Sequence, residues 1–138
     1  LKIIGTGPKL EILQKKYNNN NLRIVGFLDN KEVIKEIQKS IAVVSATKLF
    51  EGQPTILCEA SLNSIPVIFP DTGGIKEFLP KNYQFLFEQY NYNNLQTVMK
   101  KIINSDIEKI GNENKDFITG LLNKDNLLNT FTKAINNK

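Results

Sequence analysis

Residues 41–74 read IAVVSATKLFEGQPTILCEASLNSIPVIFPDTGG, and the fold turns on how this stretch is divided. Ile41 to Val44 is apolar and β-branched but too short for a helix, so it predicts a buried strand. Ser45 to Gln53 reads as a loop. Pro54 suits the opening turn of a helix, which the pattern carries to about Asn63 with Ile56, Leu57, Ala60 and Ser61 as the packing face. Pro66 to Phe69 predicts a second strand, and Pro70-Asp71-Thr72-Gly73-Gly74 a turn. Strand, helix and strand in about 30 residues make a parallel crossover unit.

The same alternation continues on both sides. Upstream, Leu1 to Ile4 is a short apolar run ending in Gly5-Thr6-Gly7-Pro8, with a helix expected from Pro8 carrying Leu10, Leu13 and Tyr17. Leu22 to Phe27 predicts another strand. Asn30 is the expected N-cap of a helix whose buried face is Val33, Ile34 and Ile37. Downstream, Ile75 to Leu79 reads as a short helix and Gln84 to Phe87 as a fifth strand. Three helices complete the chain: one after Asn91 carrying Leu95, Val98, Met99, Ile102 and Ile103, one near Ile107 to Leu122, and one near Asn126 to Ile135. The whole predicts an α/β fold, a doubly wound parallel sheet flanked by helices, as one domain over residues 1–138. In such sheets ligands sit at the carboxyl ends of the strands. Those ends carry Gly5 to Gly7, Gly26 to Asp29, Ser45 to Gln53 and Asp71 to Gly74, which are expected to line one crevice.

Composition narrows the chemistry. Among 138 residues there is no histidine, which removes Ser–His and Cys–His catalysis and every His-based zinc site from this chain. One cysteine, Cys58, in an apolar run leaves no role for disulfides and suits a reducing compartment. The net charge of +4 favours anionic ligands without choosing among them. Aromatics are not interleaved with the basic residues as single-stranded nucleic acid would require, so no nucleic-acid partner is expected. No apolar stretch reaches the roughly 18 residues of a membrane span. Leu1 falls inside an expected strand, so a longer polypeptide with a segment upstream is anticipated.

Within the loop and helix of residues 50–61, Glu51 lies at the carboxyl edge of the sheet and Gly52 permits close approach by a ligand. The first N–H groups of the helix, at Thr55 and Ile56, point back toward the crevice and form a site suited to phosphate. Glu59, one turn beyond Thr55, can accept two hydrogen bonds from a vicinal diol such as a ribose. Each piece has a plain structural counterpart: an exposed turn for Glu51, the polar edge of a helix for Glu59, a tight turn for Gly73 and Gly74.

The spelling E-G-x-P-x-x-x-x-E over Glu51 to Glu59, then S-x-P-V-I from Ser64 and T-G-G-I-x-E from Thr72, resembles the C-terminal domain of the retaining GT-B glycosyltransferases of group 1 (family 4). The opening I-I-G-x-G-P from Ile3 and V-G-F-L from Val25 are similar to that family's earlier landmarks, in the same order. The resemblance covers about Leu1 to Ser105. It implies a Rossmann-like half-domain that binds a nucleotide-sugar, UDP-, GDP- or ADP-linked, as substrate and with no cofactor or metal. On that basis Glu51 is the catalytic-site carboxylate near the anomeric centre, and Glu59 holds the ribose. The backbone of Gly52, Gln53, Thr55 and Ile56 contacts sugar and diphosphate, Gly5 and Gly7 let the first turn pass the nucleotide, Phe27 and Leu28 lie along the base, and Gly73 and Gly74 approach the donor sugar. The reaction implied is hexosyl transfer to an acceptor hydroxyl with retained configuration, in polysaccharide biosynthesis. It would take place in the cytoplasm, with peripheral membrane association through an N-terminal acceptor-binding half.

The family's Arg and Lys that neutralise the diphosphate have no match here, since Lys2 is a poor substitute, and the isolated chain is expected to be inactive. Two other readings remain open. One is a Rossmann module for NAD or another nucleotide, although Leu10 occupies the third glycine place of G-x-G-x-x-G. The other is an epimerase of GT-B architecture.

Overall fold

In the computed structural model, which describes residues 1–136, the chain is an α/β fold of short parallel strands flanked by six α-helices, a Rossmann-like half-domain. It divides into two compact units, Leu1–Glu36 and the chain from Ile37 onward.

In the first unit, β1 (Lys2–Ile4) and β2 (Arg23–Gly26) pair in parallel, and α1 (Leu10–Tyr17) packs on β2. Two side chains of the connecting segment bind β2: Gln14 Nε2 donates to Ile24 O at 2.9 Å, and Asn18 Oδ1 accepts from Ile24 N at 2.7 Å. The asparagine run after α1 therefore has a structural use, since Asn19 Oδ1 also accepts from Asn21 and Leu22 N–H. α2 (Asn30–Gln38) starts one residue earlier than expected. Asp29 rather than Asn30 caps it: Asp29 Oδ1 accepts Glu32 N–H at 2.8 Å while Glu32 Oε2 accepts Asp29 N–H at 3.1 Å, the reciprocal pair of a capping box.

The second unit is built on β4 (Val67–Pro70), whose four residues are all buried. β3 (Val43–Val44) and β5 (Leu86–Phe87) pair with it in parallel on either side, giving the order β3-β4-β5. A central parallel strand covered on both faces has no polar face to show, which is why 67–69 reads Val-Ile-Phe without alternation. Ile68 joins Phe85, Phe87, Val98 and Ile102 in one buried cluster with α4 (Tyr92–Ile103). Period-two alternation turns Val67 and Phe69 the other way, and α3 (Thr55–Leu62) also contacts the strand.

Helix α5 (Ile107–Leu121) lies against α3, and α6 (Lys124–Asn136) follows it. α4 and α5 begin at Asn91 and Asp106, whose side chains accept from Asn94 and Lys109 N–H. The segment expected as a helix after Gly74 is a single 3-10 turn, Ile75–Phe78. Four residues leave room for little more than the tighter hydrogen-bond pattern.

The α3–α5 contact is close enough to require glycine. A Cβ on Gly111 would stand 1.9 Å from Ser64 O, in the left-handed turn (φ 58°) that ends α3. Polar groups are buried on the same two helices: Ser61 Oγ and both amide atoms of Asn114 have no hydrogen-bond partner. Tyr83, whose hydroxyl donates to Val67 O at 2.7 Å and accepts Val67 N–H at 2.9 Å, is mostly buried. That burial pushes the phenol pKa up. The neighbouring Asn114 amide, outside hydrogen-bond geometry but close enough to act, and Val67 N–H draw it part of the way back.

Replacing Gly111 with Ala should push α5 away from Ser64 and destabilise the protein by about 3 kcal/mol, the range of overpacking against rigid backbone. Urea unfolding measures the loss. An unchanged midpoint would mean that the two helices are not in contact at this point.

Candidate functional site

The candidate residues fall into two sets. Gly5, Gly7, Phe27 and Leu28 belong to the first unit; Glu51, Gly52, Gln53, Thr55, Ile56, Glu59, Gly73 and Gly74 belong to the second. Within the first, the ends of β1 and β2 are joined by Gly5 N–H donating to Gly26 O at 2.8 Å. Open space adjoins Gly5 and Gly7, and the Phe27 side chain is 77% exposed. Leu10 closes against Gly26, its Cδ2 3.6 Å from where a Cβ would stand there. The position that would be the third glycine of a dinucleotide fingerprint is thus occupied by a side chain that packs. Lys2, the only basic residue in β1, pairs with Glu36.

In the second unit the parallel pairing of β3, β4 and β5 puts their carboxyl ends on one edge, from which three loops emerge: 45–54, 71–74 and 88–91. Glu51 sits in the first of these, half-buried. Its backbone is held by the second loop, because Gly74 N–H donates to Glu51 O at 2.9 Å. The approach is very close. A Cβ on Gly73 (φ 57°) would lie 2.0 Å from Glu51 O, and one on Gly74 would lie 2.8 Å from Gly52 O. Both glycines are therefore needed by the protein's own backbone for lack of space, and Gly73 also for its left-handed conformation, which costs glycine least. The expected approach of these two residues to a donor sugar is a separate matter, which this contact neither requires nor replaces.

The Glu51 side chain has one described partner: Thr47 Oγ1 donates to its Oε1 at 3.2 Å. The third loop contributes too, with Gln89 Nε2 donating to Leu49 O at 3.2 Å and Tyr90 hydroxyl donating to Lys48 O at 3.0 Å. Thr47, Gln89 and Tyr90 were not singled out by sequence. Their roles depend on strand ends brought together by sheet pairing, and no local pattern marks them.

Pro54, buried, precedes α3 with an extended ψ of 115°. The first helical bonds are donated to Pro54 O by Leu57 and Cys58 N–H, at 3.0 and 3.4 Å. The N–H groups of Thr55 and Ile56 lie ahead of those bonds, at the positive end of the helix. α3 buries Leu57, Cys58, Ala60 and Ser61 and leaves Thr55, Glu59 and Leu62 on the less buried side. That spacing of four and three places all three on one helix face. Glu59 therefore sits one turn behind the amino end that the Glu51 loop feeds. Gln53 Nε2 reaches back to Cys58 Sγ at 3.7 Å, closing the turn between loop and helix. Two shallow concavities, one lined by Glu88 to Asn93 and one by residues including Tyr83, Phe85, Lys101 and Ile110, do not include either glutamate. Among the described residues no group of three or more Cys, Asp or Glu is placed to hold a metal ion, and no helix is long and apolar enough to cross a membrane.

Residues 1–135 match the family described as glycosyl transferases group 1. The chain belongs to this family. It is also 26% identical to Protein CapJ of Staphylococcus aureus over an alignment of 157 residues that takes in 99% of the chain and 39% of CapJ. The chain thus spans about two-fifths of the length of this relative.

Gly73→Ala should displace the Glu51 backbone and destabilise the unit by about 2 kcal/mol or more, combining the left-handed penalty with the clash. Thermal unfolding together with the amide resonance of Gly74 would register both effects. A variant with unchanged stability and an unshifted Gly74 amide would contradict the close approach.

Proposed function

We propose that this chain is the donor-binding half of a glycosyltransferase that moves a sugar from a nucleotide-sugar to an acceptor hydroxyl with retained configuration. The observation that carries the reading is the joint made by the Glu51 loop and α3. A carboxylate on a backbone-clamped loop, two helix-first N–H groups and a second carboxylate one turn further on follow one another from the strand-end edge of the sheet into α3. Membership of the group 1 family supports glycosyl transfer as the chemistry.

In this reading Glu59 accepts the two ribose hydroxyls, and the Thr55 and Ile56 N–H groups meet the diphosphate at the helix's positive end. Gly52 and Gln53 lie along the sugar, and Gly73 and Gly74 close in from the neighbouring loop. Gly5, Gly7, Phe27 and Leu28 are assigned to nucleotide and base. During transfer the bond from C1 to the diphosphate breaks with its electron pair leaving on phosphate, while the acceptor oxygen bonds C1 from the same face and gives its hydroxyl proton to the departing diphosphate oxygen. Positive charge grows at C1, and the fixed carboxylate of Glu51 steadies it without reorganising. The group departs as an anion, so cations are also needed. With Lys2 engaged by Glu36, those belong to other parts of the full-length protein, along with the acceptor site. No cofactor or metal enters the scheme. In this reading the activity belongs to polysaccharide synthesis on the cytoplasmic side of a membrane.

Saturation-transfer NMR with UDP, GDP, ADP and NAD tests the binding half of this reading. A nucleoside diphosphate should bind in preference to NAD, and Glu59→Ala should abolish that signal. Preference for NAD over all three diphosphates would replace the proposal with a dinucleotide-binding module. In the full-length enzyme, Glu51→Ala should lower kcat by about a hundredfold, the size of losing one preorganised electrostatic contact, with little change in Tm. Wild-type turnover would remove Glu51 from the active site. Conversion of the nucleotide-sugar into its epimer without acceptor would favour the epimerase reading.

A further inference from the structure

The loop that carries Glu51 is held by more bonds than a surface loop needs. Thr47 Oγ1 accepts Leu49 N–H at 3.1 Å, so its one proton is directed to Glu51 Oε1. The carbonyls of Lys48 and Leu49 accept from Tyr90 hydroxyl and Gln89 Nε2. These two donors are themselves fixed. Asn91 N–H donates to Glu88 O at 3.0 Å, Asn91 Nδ2 to Glu88 Oε2 at 2.8 Å, and Glu88 N–H to Asn94 Oδ1 at 2.8 Å. Tyr90 stands within this turn at φ 69°, a left-handed conformation that is costly for an aromatic residue. What it obtains there is the bond to Lys48 O. A strained residue whose hydroxyl spans 42 positions of sequence to reach a backbone carbonyl three residues before a carboxylate fits the supporting shell of a reacting group.

We infer that Thr47 and Tyr90 are positioning residues for Glu51. Thr47 orients the carboxylate directly, and Tyr90 fixes the backbone from which it projects. Neither need touch the substrate. The inference rests on the reading of Glu51 as the donor-site carboxylate. It adds that the end of β5, which carries no recognisable signature, takes part in building the site.

The test uses the full-length protein with UDP-glucose, UDP-N-acetylglucosamine and GDP-mannose as donor probes, release of the nucleoside diphosphate being measured. Thr47→Val and Tyr90→Phe should each lower kcat about tenfold, as slight misplacement of a reacting group does, while KM for the donor stays within about twofold. Thr47→Ser, which keeps the hydroxyl, should restore kcat. Combined with Glu51→Gln, neither substitution should cost anything further, because its target is already gone. Amide exchange at Gly74, whose N–H donates to Glu51 O, reads the same positioning without any donor and should quicken in both variants. Wild-type kcat in Thr47→Val and Tyr90→Phe beside an impaired Glu51→Gln would overturn the positioning inference and leave the function standing. Unchanged Gly74 exchange in both variants would overturn it equally. Wild-type turnover in Glu51→Gln would remove the reading of Glu51, and this inference with it.

Discussion

The placement of Glu51 depends on one backbone contact, the Gly74 N–H bond to Glu51 O, with Gly73 pressed against the same peptide. A loop of ten residues between β3 and α3 has many conformations open to it, and its entropy would keep Glu51 mobile. Two glycines without side chains let the β4 loop come within backbone distance, and the hydrogen bond then selects one arrangement. α3 starts from Pro54, three residues after this contact.

This arrangement explains why polar and apolar demands coexist over so few residues. α3 is buried on the side of Leu57, Cys58, Ala60 and Ser61, and that burial anchors it against β4 and α5. The side that remains carries Thr55 and Glu59. A helix locked by packing can hold a carboxylate in one orientation, which is what preorganised recognition of a diol or of a developing charge needs. Gly111 against Ser64 O, at the far end of α3, belongs to the same economy of space: the helix is gripped at both ends by contacts that exclude a side chain.

The comparisons and the geometry address different parts of the question. Family membership rests on residues 1–135 and establishes group 1 kinship. The bonds around Glu51 say nothing of kinship, but they say which atoms are kept still. Their meeting at one glutamate gives the assignment of a donor site its physical content. The chain matches 39% of the length of CapJ.

By itself the sequence determined what short-range chemistry controls. The strands and their order follow from apolar runs bounded by glycine and proline, the helices from 3.6-residue periodicity, and the Glu51 to Glu59 joint from Pro54 and Gly52. The structure departs from these expectations at element ends, as with Asp29 displacing Asn30 at α2, and at Ile75–Phe78, where a 3-10 turn stands in place of a helix. Only the tertiary structure decided which groups surround Glu51. Thr47, Gln89 and Tyr90 are scattered over more than forty positions, and no periodicity links them to one another or to the Gly73-Gly74 pair that the sequence does mark. They meet because parallel pairing of β3, β4 and β5 brings three strand ends to one edge, and a parallel sheet always joins its neighbours through long crossovers rather than through adjacent sequence.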